Sequence, residues 1–120
     1  DPANESIWFV LGVTYEKNEK WTEAENAYSK ALEVKSDYFD ALYNLGVIWY
    51  NKGVSKSKEC DGIRGDAYQP CLVEKRAIFA KAAEYFERTR AIDASDENLK
   101  KVLIECYRKS NQADKAEGVK

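Results

Sequence analysis

Histidine and methionine are both missing from this chain of 120 residues, and it has only two prolines and three cysteines. Without His, the commonest general base and a common metal ligand are gone, so neither a catalytic site nor a metal site is expected. No apolar run approaches the ~18–20 residues that a membrane span needs, so membrane insertion is not expected. A signal peptide is also missing. Because no Met is present, not even an initiator, the chain reads as a processed or excised piece, and a missing leader says nothing of compartment. The net charge of −2 gives no general attraction to nucleic acid or anionic lipid. An odd number of cysteines leaves at most one pair within the chain.

What is present is periodicity. Hydrophobic residues make up 44% and charged residues 33%, the balance of a soluble helical domain. Trp8, Leu11, Gly12 and Tyr15 return as Leu42, Leu45, Gly46 and Trp49, each 34 residues later. Such a period marks stacked helical units. Ile7, Trp8, Leu11 and Tyr15 recur at helical spacing and predict a helix over about 5–18, capped by Asn4 or Ser6 after a short lead-in from Asp1. A second helix is expected over about 22–35 with Thr22 as its cap. Beyond Trp49 the register slips: Lys58 stands 34 residues after Ala24, where a small residue is due. Ala82 and Phe86 lie 58 beyond Ala24 and Tyr28, and Leu103 and Tyr107 lie 58 beyond Leu45 and Trp49. Two sets of landmarks therefore agree on about 24 extra residues between Trp49 and Ala82.

The 34-residue helix–turn–helix unit resembles the tetratricopeptide repeat. The resemblance implies an all-α solenoid of about 2.5–3 repeats, in which Gly12, Ala24, Tyr28 and Ala31 occupy the family's small, small, aromatic and small slots. Ser36 stands where many members carry Pro, which softens the turn. The whole chain, 1–120, is expected to form one domain: repeat one over about 5–38, repeat two over about 39–96 with the insert between 50 and 81, and a partial third over 97–120. Leu72, Lys75, Arg76, Phe79, Ala82, Ala83 and Phe86 keep helical spacing, which extends the second helix of repeat two back to about residue 71, just after Pro70. Its first helix is expected to run on to about Lys56 or Lys58, although Gly53 weakens it. The product is a long hairpin with its tip from Glu59 to Gln69. A last long helix is expected over 96–109, capped by Asp96 or Ser95, before a frayed end from Ala113 to Lys120.

In that family the first helices of the repeats line a concave groove that receives peptides or partner helices. The resemblance thus implies a non-catalytic protein-interaction module, a scaffold or adaptor without cofactors. Its groove residues carry over as Phe9, Val10 and Val13; Tyr43, Asn44, Val47 and Tyr50; and Lys101, Val102, Glu105 and Arg108. They are not expected to be needed for packing within a repeat, which Trp8, Leu11, Leu42, Leu45 and Trp49 supply, so an apolar strip on a wet face calls for a partner or a covering segment of the parent chain. One branch of the family clamps a C-terminal carboxylate with Lys, Asn and Arg. Here only Asn44 matches, against Phe9, Val13, Asn98 and Val102, so the clamp is rejected. Asn44 is left to hold a peptide backbone or simply to face water. The alternative reading is a structural terminal segment of a longer solenoid, or self-association, since such arrays need about three repeats.

Cys60 and Cys71 flank the hairpin tip with ten residues between them, which favours a disulfide and an extracytoplasmic setting, periplasmic or secreted. Cys106 reads as a buried small residue. A redox or metal-active tip is the weaker alternative. The carboxylates of Glu59, Asp61 and Asp66 do not follow the calcium-loop spacing, two cysteines are too few for zinc, and Arg64-Gly65-Asp66 is a short chance match to an integrin motif. Lys52, Lys56 and Lys58 form a stripe expected to be solvated. The Tyr50-Asn51-Lys52-Gly53 stretch and long hairpin also resemble exported tetratricopeptide proteins of Bacteroidetes-type bacteria.

Overall fold

A computed structural model describes residues 4–120; the expected lead-in over Asp1, Pro2 and Ala3 lies outside the described residues. The described residues form an all-α helical repeat: α1 (Glu5–Lys17), α2 (Trp21–Val34), α3 (Phe39–Asp61), a single 3₁₀ turn (Gly65–Ala67), α4 (Tyr68–Ile92), α5 (Glu97–Lys109) and α6 (Ala113–Glu117). Successive helices pack as antiparallel pairs, drawn out into a slab of 52 × 34 × 19 Å.

Side-chain caps set the starts of α1 and α5. Asn4 caps α1 by accepting from the Ser6 amide at 2.8 Å. Asp96 caps α5 by accepting from the amides of Asn98 and Leu99 at 2.8 and 3.2 Å, leaving Ser95 to bond Asp93 instead. The Thr22 cap is not formed: α2 begins at Trp21, with Lys20 in the cap position and no side-chain bond. Pro70 lies inside the first turn of α4 rather than before it. There its missing N–H is one the helix leaves unpaired anyway.

The turns carry the repeat as plainly as the helices do. Glu19 between α1 and α2 has φ 57°, and Asn111 between α5 and α6 has φ 64°. In each case the next amide returns to a tyrosine carbonyl, Lys20 to Tyr15 at 2.9 Å and Gln112 to Tyr107 at 2.7 Å. The left-handed residue reverses the chain, and the returning bond satisfies a carbonyl at the helix end.

Between α3 and α4 that short turn is replaced by a hairpin. Its packing repeats one device. The Cα of Gly12 lies under the ring of Tyr28, and that of Gly46 lies under Phe86. Seven residues further along α3 and seven earlier on α4, Gly53 lies under Phe79. A further seven and eight residues bring Cys60 opposite Cys71, with Cα atoms 5.7 Å apart and sulfurs bonded at 2.03 Å. A seven-residue step keeps one seam facing the partner helix, as in a coiled coil. Gly53 is therefore a contact residue, and the helix continues through it to Asp61 because the ring of Phe79 fills the space a side chain would take. Two clusters make the core. One joins Ala24, Tyr28, Ala31, Ala41, Leu45 and Ile48. The other joins Phe79, Ala82, Ala83, Phe86, Leu99, Leu103, Cys106, Tyr107 and Ala116.

Candidate partner-binding face

The residues expected to line the groove come from α1, α3 and α5, and most of them have packing duties. Phe9 lies against Tyr28 and, edge to face, Tyr38, with ring centres 5.7 and 5.4 Å apart. Val13 packs on the same cluster. Tyr43 stacks on Phe39 and meets the edge of Phe86 at 5.9 Å. Val47 and Val102 pack on the second cluster. The expectation that these positions are not needed for packing within a repeat is thus corrected for Phe9, Val13, Tyr43 and Val47. A helical period of 3.6 assigns a face but not its neighbours, and here the large side chains lean across the seams between pairs. What remains open to solvent is the half-buried outer side of each ring.

Asn44 is neither free nor simply solvated: its Nδ2 donates to the Tyr28 hydroxyl at 3.1 Å, tying α3 to α2. Burial and a neighbouring Glu16 carboxylate hold that phenol well above its ordinary pKa. The equivalent slot on α1 is Val10, which is 62% exposed, and Ile7 beside it is 48% exposed. On α3 the matching Ala41 is fully covered.

The α3–α5 seam is the polar part of the face. The Tyr50 hydroxyl donates to Glu105, and the Tyr50 ring meets the edge of Phe79 at 5.9 Å. The hydrogen bond to Glu105, then burial, pushes the Tyr50 phenol up to about 12. Lys109 reaches the same carboxylate at 3.6 Å and sits 5.2 Å from the centre of the Phe79 ring. Lys101 and Arg108 are exposed. With Ile104, Glu105 and Lys109 they line a groove of about 450 Å³ on α5. Ile104 was not among the groove residues read from the sequence, yet a signal existed. It stands 58 residues beyond Gly46, so a bulky residue fills a slot that is Gly in the earlier repeats.

A larger cleft of about 590 Å³ opens where the hairpin outruns α2, lined by Trp21, Ile48, Asn51, Lys52, Ser55, Lys56, Glu59 and Ile78. Its cations are already paired: Lys52 with Glu25 at 2.5 Å, and Lys56 with Glu74 and Glu59 at 2.5 and 3.4 Å. Lys52 and Lys56 are thus tied to α2 and α4 rather than merely solvated, whereas Lys58 is exposed and makes no ion pair among the described residues. At the tip, Cys60 and Cys71 are buried, whereas Asp61, Arg64, Gly65 and Asp66 are exposed. Among the described residues, no group of three metal-ligating side chains converges. No helix among them is long and apolar enough to cross a membrane. Cys106 is fully buried, and burial pushes its thiol up to about 12.

Comparison with known proteins agrees with the packing. Residues 17–53, from the end of α1 through α2 to the Gly53 rung of α3, match a family model described as a TPR repeat. No curated protein matches the chain, and the narrower likeness to exported Bacteroidetes-type proteins finds no support in these comparisons. The chain is thus similar to tetratricopeptide proteins over residues 17–53, and its helix pairs continue the same packing on either side.

Proposed function

We propose that this protein is a non-catalytic interaction module that receives a segment of a partner protein on the face formed by α1, α3 and α5. The supporting observation is the TPR repeat match over residues 17–53, since such repeats generally mediate protein–protein interaction. The half-buried rings of Tyr43 and Tyr50, anchored from behind by Phe86 and Phe79, give this face rigid apolar purchase at little entropic cost. The Cys60–Cys71 pair supports work in an oxidising, extracytoplasmic compartment, where the hairpin acts as a stapled projection.

The test is site-specific photo-crosslinking in cells of origin, with the crosslinker at exposed Asn98 on α5 and, as control, at exposed Glu84 on α4. A partner adduct at Asn98 and none at Glu84 is expected. No adduct at Asn98, or equal adducts at both, overturns the reading.

A second reading has its own observation. Ile7 and Val10 are exposed on α1 where the matching face of α3 is covered by α2. Such a face suits a further repeat of a longer solenoid or a second copy of the chain. Sedimentation of wild type against Val10→Asp tests the second-copy form: a dimer abolished by the substitution supports it, and a monomer in both removes it.

A further inference from the structure

We infer that the groove on α5 selects an acidic partner segment in which two carboxylates lie three residues apart in an extended chain, with an apolar residue between them. This deepens the interaction reading above and rests on it. The groove is lined by Lys101, Ile104, Glu105, Arg108 and Lys109. Three cations face one carboxylate there, in a chain whose net charge is −2.

That single carboxylate is already committed. Glu105 accepts from the Tyr50 hydroxyl and pairs with Lys109 at 3.6 Å. Lys109 in turn lies over the rings of Tyr50 and Phe79, so it is held in place at the rim. Lys101 and Arg108 make no ion pair among the described residues, in contrast to Lys52 and Lys56 on the hairpin. The unbalanced charge of this groove is therefore local, exposed and positioned on a helix.

Spacing sets the class of ligand. Lys101 and Arg108 are seven residues apart on α5, which at about 1.5 Å per residue separates them by roughly 10 Å along the axis. A chain in the polyproline II form advances about 3.1 Å per residue with three residues per turn, so carboxylates at positions i and i+3 of a peptide lie on one face and span nearly the same distance. Ile104 lies between the two cations and offers apolar contact to the intervening side chain. Arg108 can grip a carboxylate with two parallel hydrogen bonds, while Lys101 acts as a point charge.

The probe is a short fluorescein-labelled peptide with two Asp residues three positions apart and a Leu between them. It is compared with the same peptide carrying Asn at both places, by fluorescence anisotropy on the oxidised protein. At least tenfold tighter binding of the Asp peptide is expected, weakening as salt is raised. Lys101→Glu with Arg108→Glu, both on the exposed side of a well-capped helix, should abolish it while leaving the helical circular dichroism unchanged. Equal binding of the two peptides, binding of neither, or a charge-reversed variant that binds as before overturns the inference. So does preference for a single-stranded oligonucleotide probe, which would make the groove a phosphate site. A native partner that crosslinks at Asn98 as strongly in the charge-reversed variant as in wild type keeps the interaction face and removes its acidic selectivity. Loss of the Asn98 crosslink in the wild-type background removes the reading beneath it.

Discussion

Substituting Gly53 by Ala probes the seam that carries the hairpin. In isolation the change favours helix by roughly 1 kcal/mol, because Gly is the costlier residue in a helix interior. In this fold the added Cβ would stand 2.7 Å from Cε1 and Cζ of Phe79. Carbon atoms in contact prefer about 3.5–4.0 Å, so the helices must part by about 1 Å or the ring must turn. Phe79 has no exposed surface and is wedged against Tyr50, so turning is obstructed. Splaying is obstructed too, by the Cys60–Cys71 link two turns further out. Overpacking of this kind costs about 1–3 kcal/mol. The net expectation is a loss of about 1 kcal/mol, read from urea unfolding of the oxidised protein. Gly62→Ala is the control: its Cβ would meet nothing nearer than the Glu59 carbonyl at 3.7 Å, and its φ of −91° suits any residue. It should change stability by less than about 0.5 kcal/mol. In a double-mutant cycle, Phe79→Leu should relieve the clash that Gly53→Ala creates, giving a favourable coupling of about 1 kcal/mol or more. A stabilising Gly53→Ala, or a cycle with no coupling, refutes the ring-on-glycine account.

Four further outcomes follow from the same geometry. Replacing Cys60 and Cys71 together by Ser should cost about 3 kcal/mol from the loop they close, with faster hydrogen exchange confined to the hairpin beyond Gly53 and Phe79. Folded protein should resist iodoacetamide at Cys106, whose thiol burial pushes up to about 12, and mass spectrometry should find alkylation only after denaturant is added. Tyr50 is held protonated by Glu105, so its contribution is complete below the ordinary phenol pKa of about 10 and is lost as pH rises from there through about 12. Tyr50→Phe should therefore show a shallower fall in urea midpoint over that window than wild type. Asp96→Ala removes the acceptor for two amides at the start of α5 and should cost about 1 kcal/mol in the same unfolding assay.

The fold was legible because its packing device repeats. Gly12 with Tyr28, and Gly46 with Phe86, place a residue without a side chain opposite an aromatic ring, and the letters keep it as glycines 34 residues apart and rings 58 apart, the difference being the insert. The tip was legible through the positions of Cys60 and Cys71 alone. Gly53 was less so, since a lone Gly in a helical pattern signals weakness unless its ring, 26 residues away, is known to cover it. The partner face was half legible. Periodicity finds Phe9, Val13, Tyr43 and Val47, but only the packing shows that these side chains support the core on one side while facing solvent on the other. Asn44 illustrates the limit: its partner is a hydroxyl on the preceding helix, 16 residues back, and no local pattern announces it.

The most direct test of the partner face is an NMR titration of isotopically labelled, oxidised protein with the two-Asp peptide. The account predicts chemical-shift changes concentrated on α3 from Tyr43 to Tyr50 and on α5 from Lys101 to Lys109, with the hairpin tip from Arg64 to Gln69 unmoved. Changes confined to the tip or to the Trp21 cleft, with α5 silent, would contradict it.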